Sequence, residues 1–166
     1  MEKSNIDEKI KLLTGSGMWH TQEVEGLPSV HLSDGPHGLR KQEEKERQNN
    51  VSLVSTCYPT ASALACSWDV TAAERLGRAV AKEAWNADVA VLLGPGINMK
   101  RSPLCGRNFE YFSEDPFLAG RLGAAYVSAA QGEDVAVSLK HFAANNQETN
   151  RQTSNSQIDE RALREI

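Results

Sequence analysis

The 166-residue chain contains no apolar run near the ~20 residues a membrane helix requires, so no bilayer-spanning segment is expected. Its N-terminal stretch, MEKSNIDEKIKLL, is charged and lacks the apolar centre of a secretory signal. A cytoplasmic location is the corresponding expectation, with no membrane partner. Positive charge is not in excess. Lys and Arg number 18 against 22 Asp and Glu, with the signs mixed along the chain. No basic stripe is present to hold nucleic acid. Cysteine is scarce and unpatterned: Cys57, Cys66 and Cys105 form no Cys-x-x-Cys and read as small, semi-buried apolar residues. No cofactor fingerprint occurs. The early GSGMWHT lacks the third glycine of a dinucleotide loop, and a helix precedes it where a strand is required. No metal-ligand cluster is apparent.

What is present is enough for one domain, residues 1–166, with a real core: 40% of the residues are apolar. Ile6, Ile10 and Leu13 recur on one helical face, predicting a helix over 6–14, with Asn5 and Glu8 as a capping box and Gly15 as its stop. Leu27–Leu32 reads as a short strand entering the turn Ser33-Asp34-Gly35-Pro36. Lys41–Asn50 reads as a solvated loop, and Pro59–Cys66 as a second short strand. Asp69–Trp85 predicts a helix capped by Asp69, with Thr71 and Glu74 as a box and Glu74 paired to Arg78. Asp88–Leu93 and Asp134–Leu139 are apolar runs of the buried-strand type. Between them Asp115 and Pro116 open a helix that ends at Gly132. Asp159 caps a last helix from Glu160.

This alternation predicts an α/β fold with a mainly parallel sheet. The carboxyl ends of parallel strands share one edge, where sites form. Three such ends carry chemistry. The first bears Asp34, His37 and Arg40; the second Asn98, Arg101, Arg107 and Glu110. The third bears Lys140, His141, Asn145, Asn146, Glu148 and Arg151. Asp34 either closes an Asx-turn or accepts two ligand hydroxyls. Lys140 and His141 follow an apolar strand and need partners or a ligand there. Arg107 either contacts ligand or stacks among aromatics and pairs with Glu110. Glu110 and Glu114 read as loop-fixing partners of arginines, and Asp115 as a cap. His20 and His31 read as structural. Trp19 either lines a site or pins its loop. A strand-end lysine can also form a Schiff base, which keeps a lyase acting through Lys140 as a rival reading.

The segments GSGMWHT, SDGPHGLR, LGPGINMKRSPLCGRNFEYFSEDP, KHFAANNQETNR and DERALREI, in this order, resemble the N-terminal barrel domain of glycoside hydrolase family 3. That family comprises β-glucosidases, β-xylosidases and related exo-acting enzymes. The resemblance implies a TIM-type (β/α) barrel, of which this chain is roughly the first half to two-thirds. It implies a retaining β-glycosidase acting at the non-reducing end of β-glucosides or related glycosides. Asp34, Arg107, Lys140, His141 and Arg151 would form the sugar subsite. It further implies a catalytic nucleophile and acid/base downstream of Ile166, because the family's Ser-Asp-Trp-type strand end is not in this chain. Retaining hydrolysis needs two carboxyl groups about 5–5.5 Å apart. The expected partners are a β-glycoside or monosaccharide and the remainder of the barrel or a complementing chain, with self-association through uncovered apolar faces. A non-catalytic carbohydrate-binding fragment is the alternative.

Overall fold

The computed structural model describes residues 6–42 and 51–166. Three short parallel strands form one sheet in the order β1–β2–β3: β1 is Leu32–Asp34, β2 is Val91–Leu93 and β3 is Ala136–Val137. Leu32 pairs with Val91, Asp34 with Leu93, and Val91 with Ala136. The helices are α1 (Ile6–Lys11), α2 (Ala61–Ala65), α3 (Val70–Asn86), α4 (Pro116–Gln131) and α5 (Glu160–Glu165). The chain is thus the predicted α/β fold, the opening part of a (β/α) barrel.

Two strands begin later than the sequence suggests, for one physical reason. Asp88 and Asp134 adopt left-handed φ of 54° and 59°. Their amides bond back to Trp85 and Gln131, so these acids close the preceding helices and do not open the strands. The first strand also lies further along than 27–32. Val24 and Leu27 close a small turn on each other instead.

The 59–66 segment is a helix and not a strand. Thr60 accepts a hydrogen bond from the Ala63 amide as its N-cap, and the alanine-rich Ala61–Ala65 follows. Helix α1 is shorter than expected and buries nothing: Ile6, Ile10 and Leu13 are all exposed. The proposed cap Asn5 and most of the 41–50 loop lie outside the described residues. Cys57 and Cys66 are exposed, contrary to the semi-buried reading, whereas Cys105 is buried.

The core lies between the sheet and the α3–α4 pair. Leu76, Val80, Ala81 and Ala84 of α3 pack with Leu122, Tyr126 and Ala130 of α4, and Leu92, Val89 and Val135 supply the sheet side. Gly77 is required here: a Cβ at this position would run into the Tyr126 backbone, so the helices meet at a distance only glycine permits. Asp69 caps α3 through the Thr71 amide, as expected. The anticipated Glu74–Arg78 pair is replaced, because Arg78 reaches Glu133 at 3.4 Å beyond the end of α4. Asp115 caps α4 through two amides, with Pro116 in the first turn. Asp159 caps α5. No described helix is long and apolar enough to cross a membrane.

Candidate functional site

The three strands deliver their following loops to one edge, and local backbone contacts draw the loops together. Gly96, just past β2, pairs with Tyr111 on one side and Lys140 on the other. The Ile97 amide bonds the Lys140 carbonyl at 2.7 Å, and the Lys140 amide bonds Pro95 at 3.1 Å. A Cβ on Gly96 would collide with the Glu110 carbonyl, so this close seam also depends on glycine. The backbone thereby places Glu110 and Lys140 beside each other, although thirty residues separate them. Asp34 arrives from the end of β1, next to β2 in the sheet.

On this frame six charged side chains alternate in sign along one chain of contacts. Asp34 Oδ1 lies 2.7 Å from Lys140 Nζ, and the same nitrogen lies 3.0 Å from Glu110 Oε2. Glu110 Oε1 accepts from Arg107 Nε. Arg107 Nε is also 3.9 Å from Glu148 Oε1, and Glu148 Oε2 is 3.3 Å from Arg151. His141 joins through a neutral branch. Its Nδ1 is 2.7 Å from the Tyr111 hydroxyl, which accepts from Asn145 Nδ2, and that amide also donates to Glu148 at 2.7 Å. Asn98 fixes this loop by accepting from the Asn145 amide and donating to Asn146.

Burial decides what each member can do. The Glu110 side chain is 6% exposed and Lys140 12%, while Asp34 keeps 30% and Arg151 49%. Asp34 at the inner end and Glu148, 29% exposed, are therefore the carboxylates that a ligand can reach. Burial by itself would raise the Asp34 carboxyl, but the hydrogen bond and charge of Lys140 hold it below the ordinary aspartate value. Glu110 behaves alike: burial opposes ionisation, and Arg107 and Lys140 overcome it. Burial, reinforced by the charges of Arg107 and Lys140, lowers the His141 imidazole and keeps it neutral at pH 7. Burial pushes the Tyr111 hydroxyl up to about 12. The rim beside Asp34 is aromatic, with the rings of His37 and Phe109 edge-to-face at 5.6 Å.

All five anticipated site residues, Asp34, Arg107, Lys140, His141 and Arg151, are brought into one network, with Arg151 at its exposed outer end. Glu110 pairs with an arginine as expected. Glu114 is exposed and, among the described residues, pairs with no arginine. Asp115 is the cap. Trp19 pins its loop by donating to Gln42 at 3.0 Å. Sequence reasoning missed the part played by Tyr111. The only available sign was its place in the aromatic run Phe109-Glu-Tyr-Phe112, which does not distinguish a ring that packs from one whose hydroxyl links two loops. Two cavities of about 550 and 620 Å³ lie on the other side of the β3 loop. The first is apolar, reaching from Ile97 and Met99 to Leu163, and the second is lined by amides and Arg151. Neither touches Asp34, Arg107 or Lys140. Among the described residues no cluster of His, Cys, Asp and Glu is placed to hold a metal ion.

Residues 35–166 match the family described as Glycosyl hydrolase family 3 N terminal domain. The chain is 51% identical over its whole length to thermostable beta-glucosidase B of Acetivibrio thermocellus. It is 48% identical over 97% of its length to an exo-alpha-(1->6)-L-arabinopyranosidase of Bifidobacterium longum. In each case it covers 22% of the relative, so the chain spans about a fifth of these proteins. Among solved structures, the beta-glucosidase of Kluyveromyces marxianus in complex with glucose superposes with a TM-score of 0.89 at 44% identity. That match covers 99% of this chain and 20% of the other. The GH3 beta-glucosidase of Bifidobacterium adolescentis gives 0.87 at 46% identity, covering 98% and 23%.

Proposed function

Because the chain belongs to glycosyl hydrolase family 3, we propose that it supplies the non-reducing-end sugar subsite of a retaining β-glycosidase that acts on β-glucosides or related pyranosides. The observation that carries this reading is the alternating ion chain at the strand ends, with one accessible, ionised carboxylate at its inner end. A pyranose is neutral and rich in hydroxyls. Asp34 accepts two hydroxyl hydrogens, and Lys140, Arg107 and Arg151 donate to sugar oxygens. Charge-assisted hydrogen bonds of this kind are about twice as strong as neutral ones. The neutral His141 adds a ring nitrogen that Tyr111 orients.

Asp34 and Glu110 do not suit the role of catalytic acid. A general acid at neutral pH needs a raised pKa, whereas Asp34 and Glu110 are held below their ordinary values by cations. On the family resemblance, nucleophile and acid/base are assigned to parts of the enzyme beyond this chain. The apolar cavity between α5 and the loops after β2 and β3 is where further barrel elements would pack. A Schiff base on Lys140 fits less well, since two carboxylates would have to leave Nζ before a carbonyl carbon reached it.

The test is a chimaeric enzyme in which this chain replaces the matching segment of the Acetivibrio thermocellus relative. It should hydrolyse an aryl β-glucoside, be inhibited competitively by glucose, and lose at least about 100-fold in kcat/KM on Asp34→Ala, since a missing hydroxyl partner weakens the transition state most. A folded chimaera that turns over normally after Asp34→Ala refutes the subsite.

A further inference from the structure

We propose that Glu110 is the positioning residue of this subsite: one buried carboxylate that sets the placement of both sugar-facing cations, Arg107 and Lys140. The inference rests on the subsite reading above and assigns the part of the site that does not meet the sugar.

The geometry gives Glu110 two different cations on its two oxygens. Oε1 takes Arg107 from its own loop, and Oε2 takes Lys140 from the end of β3 at 3.0 Å. Among the described residues no other side chain joins these two cations directly. Without Glu110, the ion-pair partners left among the described residues are Asp34 for Lys140 and Glu148, at 3.9 Å, for Arg107. With a 6% exposed side chain, Glu110 lies behind the cations and acts through them. Three carboxylates and three cations alternate along the chain, so the site is neutral as a whole, which suits an uncharged ligand. Neutralising the middle carboxylate leaves one net positive charge and turns two cations toward each other in a poorly solvated place.

The backbone fixes Glu110 as firmly as its side chain fixes the cations. Residues Asn108–Glu110 form a short 3₁₀ turn, with the Glu110 amide bonded to the Arg107 carbonyl at 3.1 Å. The Glu110 carbonyl lies against Gly96, where no Cβ fits. Ser62 Oγ spans the turn by reaching the Asn108 and Tyr111 carbonyls at 2.9 and 3.3 Å, and Lys100 holds Ser62 at 2.6 Å. A carboxylate held this rigidly transmits its position to whatever it binds. A displacement of about 1 Å in a substrate-binding group is sufficient to cost about 100-fold in rate.

The experiment is a double-mutant cycle in the chimaeric enzyme. Glu110→Gln should raise KM and the glucose inhibition constant together and lower kcat/KM about 100-fold. In a Lys140→Met background the same change should cost clearly less than the roughly 100-fold it costs alone, because one of the two cations it acts through is gone. Glu133→Gln, which removes an ion-pair partner of Arg78 and Lys82 far from the site, serves as the unaffected control. Unchanged kinetics in Glu110→Gln, or a loss fully additive with Lys140→Met, overturns the proposal. Should Glu110→Gln fail to fold, the cycle is read with Glu110→Asp, which keeps the charge one methylene short. A folded Glu110→Asp enzyme with at least a 10-fold loss in kcat/KM supports positioning. Full activity, or failure of both variants to fold, overturns it. A folded wild-type chimaera that neither hydrolyses an aryl β-glucoside nor binds glucose refutes the subsite reading itself, a result distinct from an active enzyme indifferent to Glu110.

Discussion

Lys140→Met in the 166-residue chain tests whether the ion chain is held together by charge or by packing. Methionine preserves most of the lysine stem and removes only the ammonium. Breaking a buried pair by deleting one partner costs about 3–5 kcal/mol. Two features reduce that figure here. Asp34 keeps 30% of its side-chain surface in water, so part of its loss is met by solvent. Glu110 keeps Arg107. Removing the ammonium also ends its own desolvation, which leaves a net cost of about 2 kcal/mol at pH 7. For a chain of this length that is a fall in Tm of about 4–8 °C.

The pH dependence carries the sign. Asp34 and Glu110 both have folded pKa values depressed below their ordinary values of 3.8 and 4.5. Their contribution is therefore complete above the unfolded values and disappears as pH falls through the lower folded values. In Lys140→Met the Asp34 carboxyl returns upward, and this contribution shrinks. Thermal melts followed by far-ultraviolet circular dichroism should accordingly show a wide gap between wild type and variant at pH 7. The gap should narrow at acid pH, as pH falls through the lowered folded values of both carboxyls. A gap of the same size at pH 7 and at acid pH would mean that the lysine stem and not its charge matters, and would refute the argument.

Three further outcomes follow from single contacts. Tyr126→Phe removes the buried hydrogen bond from the Tyr126 hydroxyl to the Pro36 carbonyl (2.9 Å) and should cost about 1–3 kcal/mol in urea unfolding, since a buried carbonyl is left unpaired. Gly77→Val forces a branched side chain into the Tyr126 backbone and should abolish the soluble native fold, with loss of helical dichroism as the measure. The 166-residue chain alone should show no turnover of an aryl β-glucoside. Turnover by the purified chain that is lost on Asp34→Ala would contradict the placement of the nucleophile elsewhere.

Much of the architecture was legible because it depends on local signals. Asp69, Asp115 and Asp159 each stand before a helix and each accepts from the first-turn amides. The apolar runs ending at Leu93 and Leu139 mark β2 and β3. The errors arose where a local pattern had two solutions. Residues 59–66 are short, apolar and proline-flanked, and only the Thr60 cap decides for helix. The Ile6–Ile10–Leu13 stripe is a genuine helical period, yet among the described residues no element covers it. Asp88 and Asp134 resemble strand starts until their left-handed φ values are known.

The candidate site divides in the same way. From the sequence came the α/β order and the three strand-end loops, and within those loops the family resemblance singled out Asp34, Arg107, Lys140, His141 and Arg151. Lys140 and His141 directly follow an apolar run, a pattern that needs no three-dimensional information. Tertiary structure decided which charge meets which. Asp34 and Lys140 are 106 residues apart, and only the β1–β2–β3 order, with Gly96 seated between Tyr111 and Lys140, puts them in contact. The same packing turned Glu110 from one of several loop carboxylates into the hinge between two cations. Burial, and with it the strength of an ion pair, is a property of the assembled fold and not of the chain order.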